Sequence, residues 1–187
     1  MIKILKFPIL LTLILCSPLF YAEGNHKIFN LGDFDLESGI TLPNAKLSYA
    51  THGKLNEEKN NLIVVPSAYL GDHHGFDFLI EQGKALDPDK YFIVATDMFQ
   101  NGLSSSPSNT APPFNGPNFP LISIRDNVNA GYKLVTEIFK VKKIKGVVGF
   151  SMGAQQAFQW GVSYPDFVEK IVGIAGSAVE YPHGIVR

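Results

Sequence analysis

The run Gly149-Phe150-Ser151-Met152-Gly153 sets a serine between two glycines, each two positions away. A serine hydroxyl attacks a carbonyl carbon once an adjacent base takes its proton. On a sharp strand-to-helix turn that hydroxyl is held out from the backbone, and the flanking residues must be small because the chain packs against itself there. Gly149 and Gly153 meet this need. The five-residue pattern is common by chance, so its context decides. An apolar run ends at Phe150, and Ala154, Ala157 and Gly161 then repeat on one helical face, allowing close approach to a sheet. Ser151 is therefore the candidate nucleophile for acyl transfer.

Such a turn also supplies half of an oxyanion hole. The backbone N–H of Met152 falls at the helix start, where amides lack intrahelical partners and the helix dipole favours negative charge. The second donor comes from the loop after an earlier central strand. That loop is Pro66-Ser67-Ala68-Tyr69-Leu70-Gly71, and the N–H of Tyr69 is the expected donor. An acid and a histidine should follow the serine in chain order. After Ser151 the chain has His183 as its histidine and Asp166, Glu169 and Glu180 as its acids. None is well placed for the role: His183 and Glu180 lie near the chain terminus, and Asp166 follows a helix-ending Tyr164-Pro165. His26, His52, His73 and His74 precede the serine and read as packing or surface residues, and adjacent histidines do not by themselves make a metal site.

The elements that must position Ser151 are legible as a change of period. Residues 27–36 and 45–50 alternate apolar with polar, as half-buried strands do, with a turn at Glu37-Ser38-Gly39 between them. Leu62-Ile63-Val64-Val65, residues 91–95, residues 146–150 and residues 170–174 are instead continuous apolar runs. Strands of a parallel sheet covered on both faces look like this. Ser123 and Asp126 have capping-box spacing, and Val128, Tyr132, Val135 and Phe139 recur at helical intervals, with Lys140, Lys142 and Lys143 expected at the helix end. A second helix is predicted over 154–163. Strands alternating with helices define an α/β fold. Residues 101–120, rich in Ser, Pro and Asn, have no apolar period. They form either a surface linker or a pocket wall, since they follow a strand at the end where α/β sheets bind ligands.

Composition excludes several classes. Lys+Arg 16 against Asp+Glu 17 leaves a net charge of -1, without the basic excess expected of a nucleic-acid binder. The one cysteine, Cys16, rules out an internal disulfide framework. Residues 1–22 read as an export signal: Lys3 and Lys6, an apolar stretch over 7–15, Pro18, then Ala22 as a cleavage position. The stretch is shorter than the roughly 20 residues of a spanning helix, so membrane association is expected only through an uncleaved signal.

The chain resembles the homoserine O-acetyltransferases and their α/β-hydrolase relatives from about residue 34 to about residue 178. The likeness rests on Leu36-Glu37-Ser38-Gly39, on residues 47–56, on Ala85-Leu86-Asp87 before Lys90-Tyr91-Phe92, and on residues 101–109. It continues through Asp126-Asn127-Val128, the Ser151 turn, Gln156, Trp160 and Tyr164-Pro165-Asp166. The resemblance implies an α/β-hydrolase fold, a mostly parallel sheet with flanking helices, here truncated after the half that bears the nucleophile. Residues 23–187 would form this domain, lacking the C-terminal strands and cap that carry the acid and histidine in the family. It also implies that Ser151 is acylated, in a ping-pong transfer from acetyl-CoA to a hydroxyl acceptor, with Met152 as oxyanion donor. CoA is then a substrate, and no cofactor or metal is expected.

The chain departs from the acetyltransferases in the loop after the third strand. They usually carry His-x-Leu-Thr-Gly there, and this chain has Ser67-Ala68-Tyr69-Leu70-Gly71. Export would also remove it from cytoplasmic acetyl-CoA. Two further readings therefore stand beside acetyl transfer: a secreted esterase that passes the acyl group to water, and a remnant that is inactive without a partner chain. A homodimer is left open.

Overall fold

The computed structural model describes residues 26–179. The proposed signal with Cys16, and Glu180 and His183, lie outside the described residues. Six strands form one sheet: β1 (Lys27–Asp35), β2 (Thr41–His52), β3 (Leu62–Pro66), β4 (Phe92–Thr96), β5 (Gly146–Phe150) and β6 (Ile171–Ile174). Their order is β1-β2-β4-β3-β5-β6. The opening pair β1 and β2 is antiparallel, and β2 runs antiparallel to β4. From β4 through β3 and β5 to β6 every pairing is parallel. Two helices flank the sheet, α1 (Ile124–Glu137) and α2 (Met152–Ser163).

The continuous apolar runs become strands buried on both faces, as their composition requires. Leu62 and Val64 of β3 join Phe92 and Val94 of β4 in a core that also holds Leu134, Val135 and Trp160. The alternate residues Ile63, Val65, Ile93 and Ala95 face the opposite side, against Phe76 and Leu86. The outer strand β6 differs: Ile171, Val172 and Ile174 are all exposed. Among the described residues β6 pairs only with β5, so its far edge is open.

The capping box of α1 forms as its spacing predicts. Ser123 Oγ accepts from the Asp126 N–H at 3.1 Å, and Asp126 Oδ2 accepts from the Ser123 N–H at 2.8 Å. Asp126 Oδ1 also accepts from the Glu37 N–H at 2.8 Å, tying the helix start to the β1–β2 turn. Asp126 is fully buried. Asp126→Ala orphans both amides and is expected to destabilise the fold by about 2–3 kcal/mol, read from urea unfolding. A change below half a kcal/mol would show that water replaces the carboxylate at this point.

The far end of α1 corrects the sequence expectation. The helix stops at Glu137 with Ile138 as its cap, and its last turn holds no basic residue. Lys140 takes a φ of 56°, so the three lysines follow the helix instead of closing it. Phe139 lies beyond the helix as well, yet packs edge-on against Phe92 at 5.0 Å between ring centres. Its apolar character was a core signal, and its spacing was not a helical one. At the other helix, α2 starts at Met152, two residues before the predicted start.

The chain passes from β3 to β4 on one side, then returns to place β5 on the other side of β3. The crevice beyond the carboxyl ends of β3 and β5 is thus the switch point at which open α/β sheets bind ligands.

Candidate active site

Ser151 lies in that crevice, between the last residue of β5 and the first of α2. Its backbone is φ 54° and ψ −119°, a conformation that residues with a Cβ rarely adopt. Such strain, of order 1–3 kcal/mol, persists only where surrounding structure enforces it. The enforcement is visible. A Cβ on Gly149 would run into Gly153 O and stand 2.7 Å from Ala154 N. One on Gly153 would stand 2.7 Å from Pro66 O, and one on Gly176 2.7 Å from Ser151 O. The Ser151 N–H donates to Ile174 O at 2.9 Å, and Ser151 O accepts from Ala154 N at 3.0 Å. The turn is held from β5, β6 and α2 together.

Ser151 and Met152 open into a cavity of about 860 Å³ that Tyr69 also lines. The three residues assigned by sequence to nucleophile and oxyanion hole are therefore brought to one site. Met152 is the first residue of α2, where helix geometry leaves its N–H without an intrahelical acceptor. Residues 68–71 form a tight turn closed by Gly71 N–H to Ala68 O at 3.0 Å, with Leu70 at φ 58°. The Tyr69 side chain is 63% exposed, so it does not serve the core. Apolar walls come from Met98, Phe99, Leu103, Ile122 and Ile124, and Asn127 and Gln155 add amides.

Neither Asp166 nor Glu169 lines this cavity. Asp166 is exposed, and Glu169 pairs with Lys145 at 3.0 Å. Among the described residues no cluster of His, Cys, Asp or Glu is arranged to hold a metal ion.

The structure also brings in residues that sequence reasoning set aside. Of the two readings, packing or surface, His73 takes the first: it is buried, and it lines the cavity. Its Nδ1 lies 2.8 Å from Oδ2 of Asp97, and its backbone N–H donates to Asp97 Oδ1 at 2.8 Å. Asp97 has no exposed surface. It follows β4 and also accepts from Ser48 Oγ at 2.6 Å and from Asn101 Nδ2 at 3.1 Å. The rings of His26 and His74 lie 5.6 and 4.3 Å from that of His73. His52 lies close enough to this group to sense its charge. Burial pushes its imidazole below the usual value; the Asp77 carboxylate opposes this, and His74 and His73 add to it. The one sequence signal for the pair was position: Asp97 directly follows an apolar strand at its ligand-binding end.

The serine-rich loop is a pocket wall. Gln100, Asn101 and Leu103 line the cavity. Ser104, Ser105 and Ser106 are buried. Ser104 Oγ and Ser105 Oγ each accept a β2 amide, from Ser48 and Lys46, both at 2.9 Å. Serines suit this place because a hydroxyl accepts from one strand amide and donates elsewhere, as Ser104 Oγ does to Asp97 O at 2.8 Å.

The fold and this site define an α/β hydrolase. The profile of the alpha/beta hydrolase fold matches residues 61–186, and the chain belongs to that family. It is 44% identical over 168 residues to an ethyl acetate hydrolase of Pseudomonas veronii, covering 88% of this chain and 48% of that protein. It is 39% identical over 170 residues to a homoserine O-acetyltransferase of Methanosalsum zhilinae, covering 82% of this chain and 34% of the other. The crystal structure of the acetyl esterase MekB superposes with a TM-score of 0.85 at 43% identity, over 87% of this chain and 48% of that one. The chain thus spans about half the length, or less, of the relatives it matches.

Proposed function

We propose that the chain carries the nucleophile of a serine carboxylester hydrolase acting on short-chain acyl esters, acetyl esters foremost. The observation that carries this reading is the strained Ser151 turn opening into a largely apolar cavity. Ser151 Oγ attacks the ester carbonyl as its proton passes to a base. The oxyanion so formed sits between the backbone N–H groups of Met152 and Tyr69. Collapse expels the alcohol and leaves an ester on Ser151, which water then cleaves. The base and its orienting acid are assigned to no described residue.

Hydrolysis is preferred to transfer because similarity to the ethyl acetate hydrolase exceeds that to the acetyltransferase. The loop departure at Ser67-Ala68-Tyr69-Leu70-Gly71 points the same way. Export by residues 1–22 belongs to the same proposal, since it leaves water as the abundant acceptor. The acetyltransferase resemblance keeps one second reading, transfer of the acyl group to a hydroxyl compound. Exposure to p-nitrophenyl acetate, followed by peptide mass analysis and tracking of the acetyl group, separates the two. The expected result is acetyl on the peptide containing Ser151 and free acetate without any acceptor. Preferential delivery to homoserine would favour transfer, and an unmodified Ser151 under burst conditions would sink both.

A further inference from the structure

The loop after β3 reaches over the site as an arch with two feet. The first foot is Ser67. Its N–H donates to Thr96 O at 2.9 Å, its Oγ accepts the Met98 N–H at 3.0 Å, and its carbonyl accepts Gln156 Nε2 at 2.9 Å. The second foot is His73, gripped by backbone and ring on the two oxygens of Asp97, each at 2.8 Å. Between the feet lie Ala68 to Asp72, whose apex carries Tyr69 and the nearly fully exposed Leu70. Nothing hydrophobic fixes that apex, so its height over Ser151 depends on where the feet stand.

Asp97 is an expensive way to anchor a loop. A carboxylate with no exposed surface must recover its lost hydration from donors. It has four: the His73 amide, the His73 ring, Ser48 and Asn101. These come from three segments, namely the arch, β2 and the serine-rich wall. A purely structural anchor could be satisfied within one segment. This one joins both walls of the cavity to the end of β4. With Nδ1 turned to the carboxylate, the imidazole leaves Nε2 buried and without a hydrogen-bond partner.

We infer that Asp97, acting through His73, is the positioning residue of the oxyanion loop, setting the height of the Tyr69 N–H over Ser151. The inference rests on the reading of residues 67–72 as that loop. A positioning role acts on the charge that develops in the transition state, and so on kcat more than on KM.

The test uses Asp97→Asn and His73→Asn in the full chain. Asparagine at 97 keeps the shape but turns one acceptor oxygen into a donor. Asparagine at 73 keeps the backbone foot and removes the ring. In both, amide hydrogen exchange over residues 68–74 is expected to rise about tenfold or more while β3, β4 and β5 keep wild-type protection. For p-nitrophenyl acetate, kcat per phosphonate-titratable serine should fall about 10- to 100-fold with KM within about threefold. Inhibition by a phenylboronic acid, whose adduct on the serine is anionic and tetrahedral, should weaken by the same factor. Loop amides that exchange as in wild type, or an unchanged kcat per titrated serine, would overturn the assignment. If Asp97→Asn does not fold, His73→Asn decides, because His73 lies in the arch and outside the sheet. A wild-type chain that turns over no ester would count against the esterase reading alone, and the exchange measurement would still decide the clamp.

Discussion

Ser151→Ala is expected to lower kcat for ester hydrolysis by about 10⁴- to 10⁶-fold, the range seen when a serine nucleophile is removed from a site that otherwise stays intact. The loss should fall on kcat, since the apolar cavity walls (Met98, Phe99, Leu103) are untouched. Alanine has a Cβ just as serine does, so the strain at φ 54° is inherited unchanged and the fold should melt within a few degrees of wild type. No acetyl group should appear on the peptide spanning residues 149–153 after exposure to p-nitrophenyl acetate. Turnover at the wild-type rate in this variant would place the chemistry on another residue and withdraw Ser151 from the mechanism.

Gly149→Ala is expected to be strongly destabilising. The new carbon would enter the space held by Gly153 O and press on Ala154 N at 2.7 Å. All these atoms are backbone, in the first turn of α2, so no side chain can swing away. Relief requires the helix to move off β5, and that movement disrupts Trp160 and Ala157, both fully buried in the main core. A cost of about 3–5 kcal/mol is expected. At about 2–4 °C per kcal/mol for a chain of this size, the melting temperature should drop by about 6–20 °C. The hydroxyl of Ser151 would survive chemically yet lose its reactivity toward a phosphonate probe. A melting temperature within two or three degrees of wild type would mean that the turn can open without dragging α2.

Those two residues belong to the part of the site that could be read directly. Gly149, Ser151 and Gly153 fall within five consecutive positions, and the requirement that binds them is local sterics. The continuous apolar runs at residues 62–65 and 91–95 were equally readable, because burial on both faces leaves no charged position within them. Asp97 and His73 were not. They are 24 positions apart, and what joins them is the register of β4 beside β3 together with the fold of the loop between. For Ser104 and Ser105 the choice between surface linker and pocket wall stayed open, because their partners are main-chain amides of β2, which leave no trace in residue type. The lysines after Phe139 misled for the opposite reason: a run of cations near a helix end is the same string whether the helix includes it or has already stopped at Glu137.

The Ser151 N–H donates to Ile174 O, on the outermost described strand. Edge strands fray first, and β6 has nothing among the described residues on its far side. The amide of the nucleophile is therefore hung from an outer beam of the described sheet. The lifetime of its amide proton in deuterated water becomes a clock for that beam, and any molecule that pairs along Ile171–Ile174 will slow the clock at Ser151 without touching the cavity.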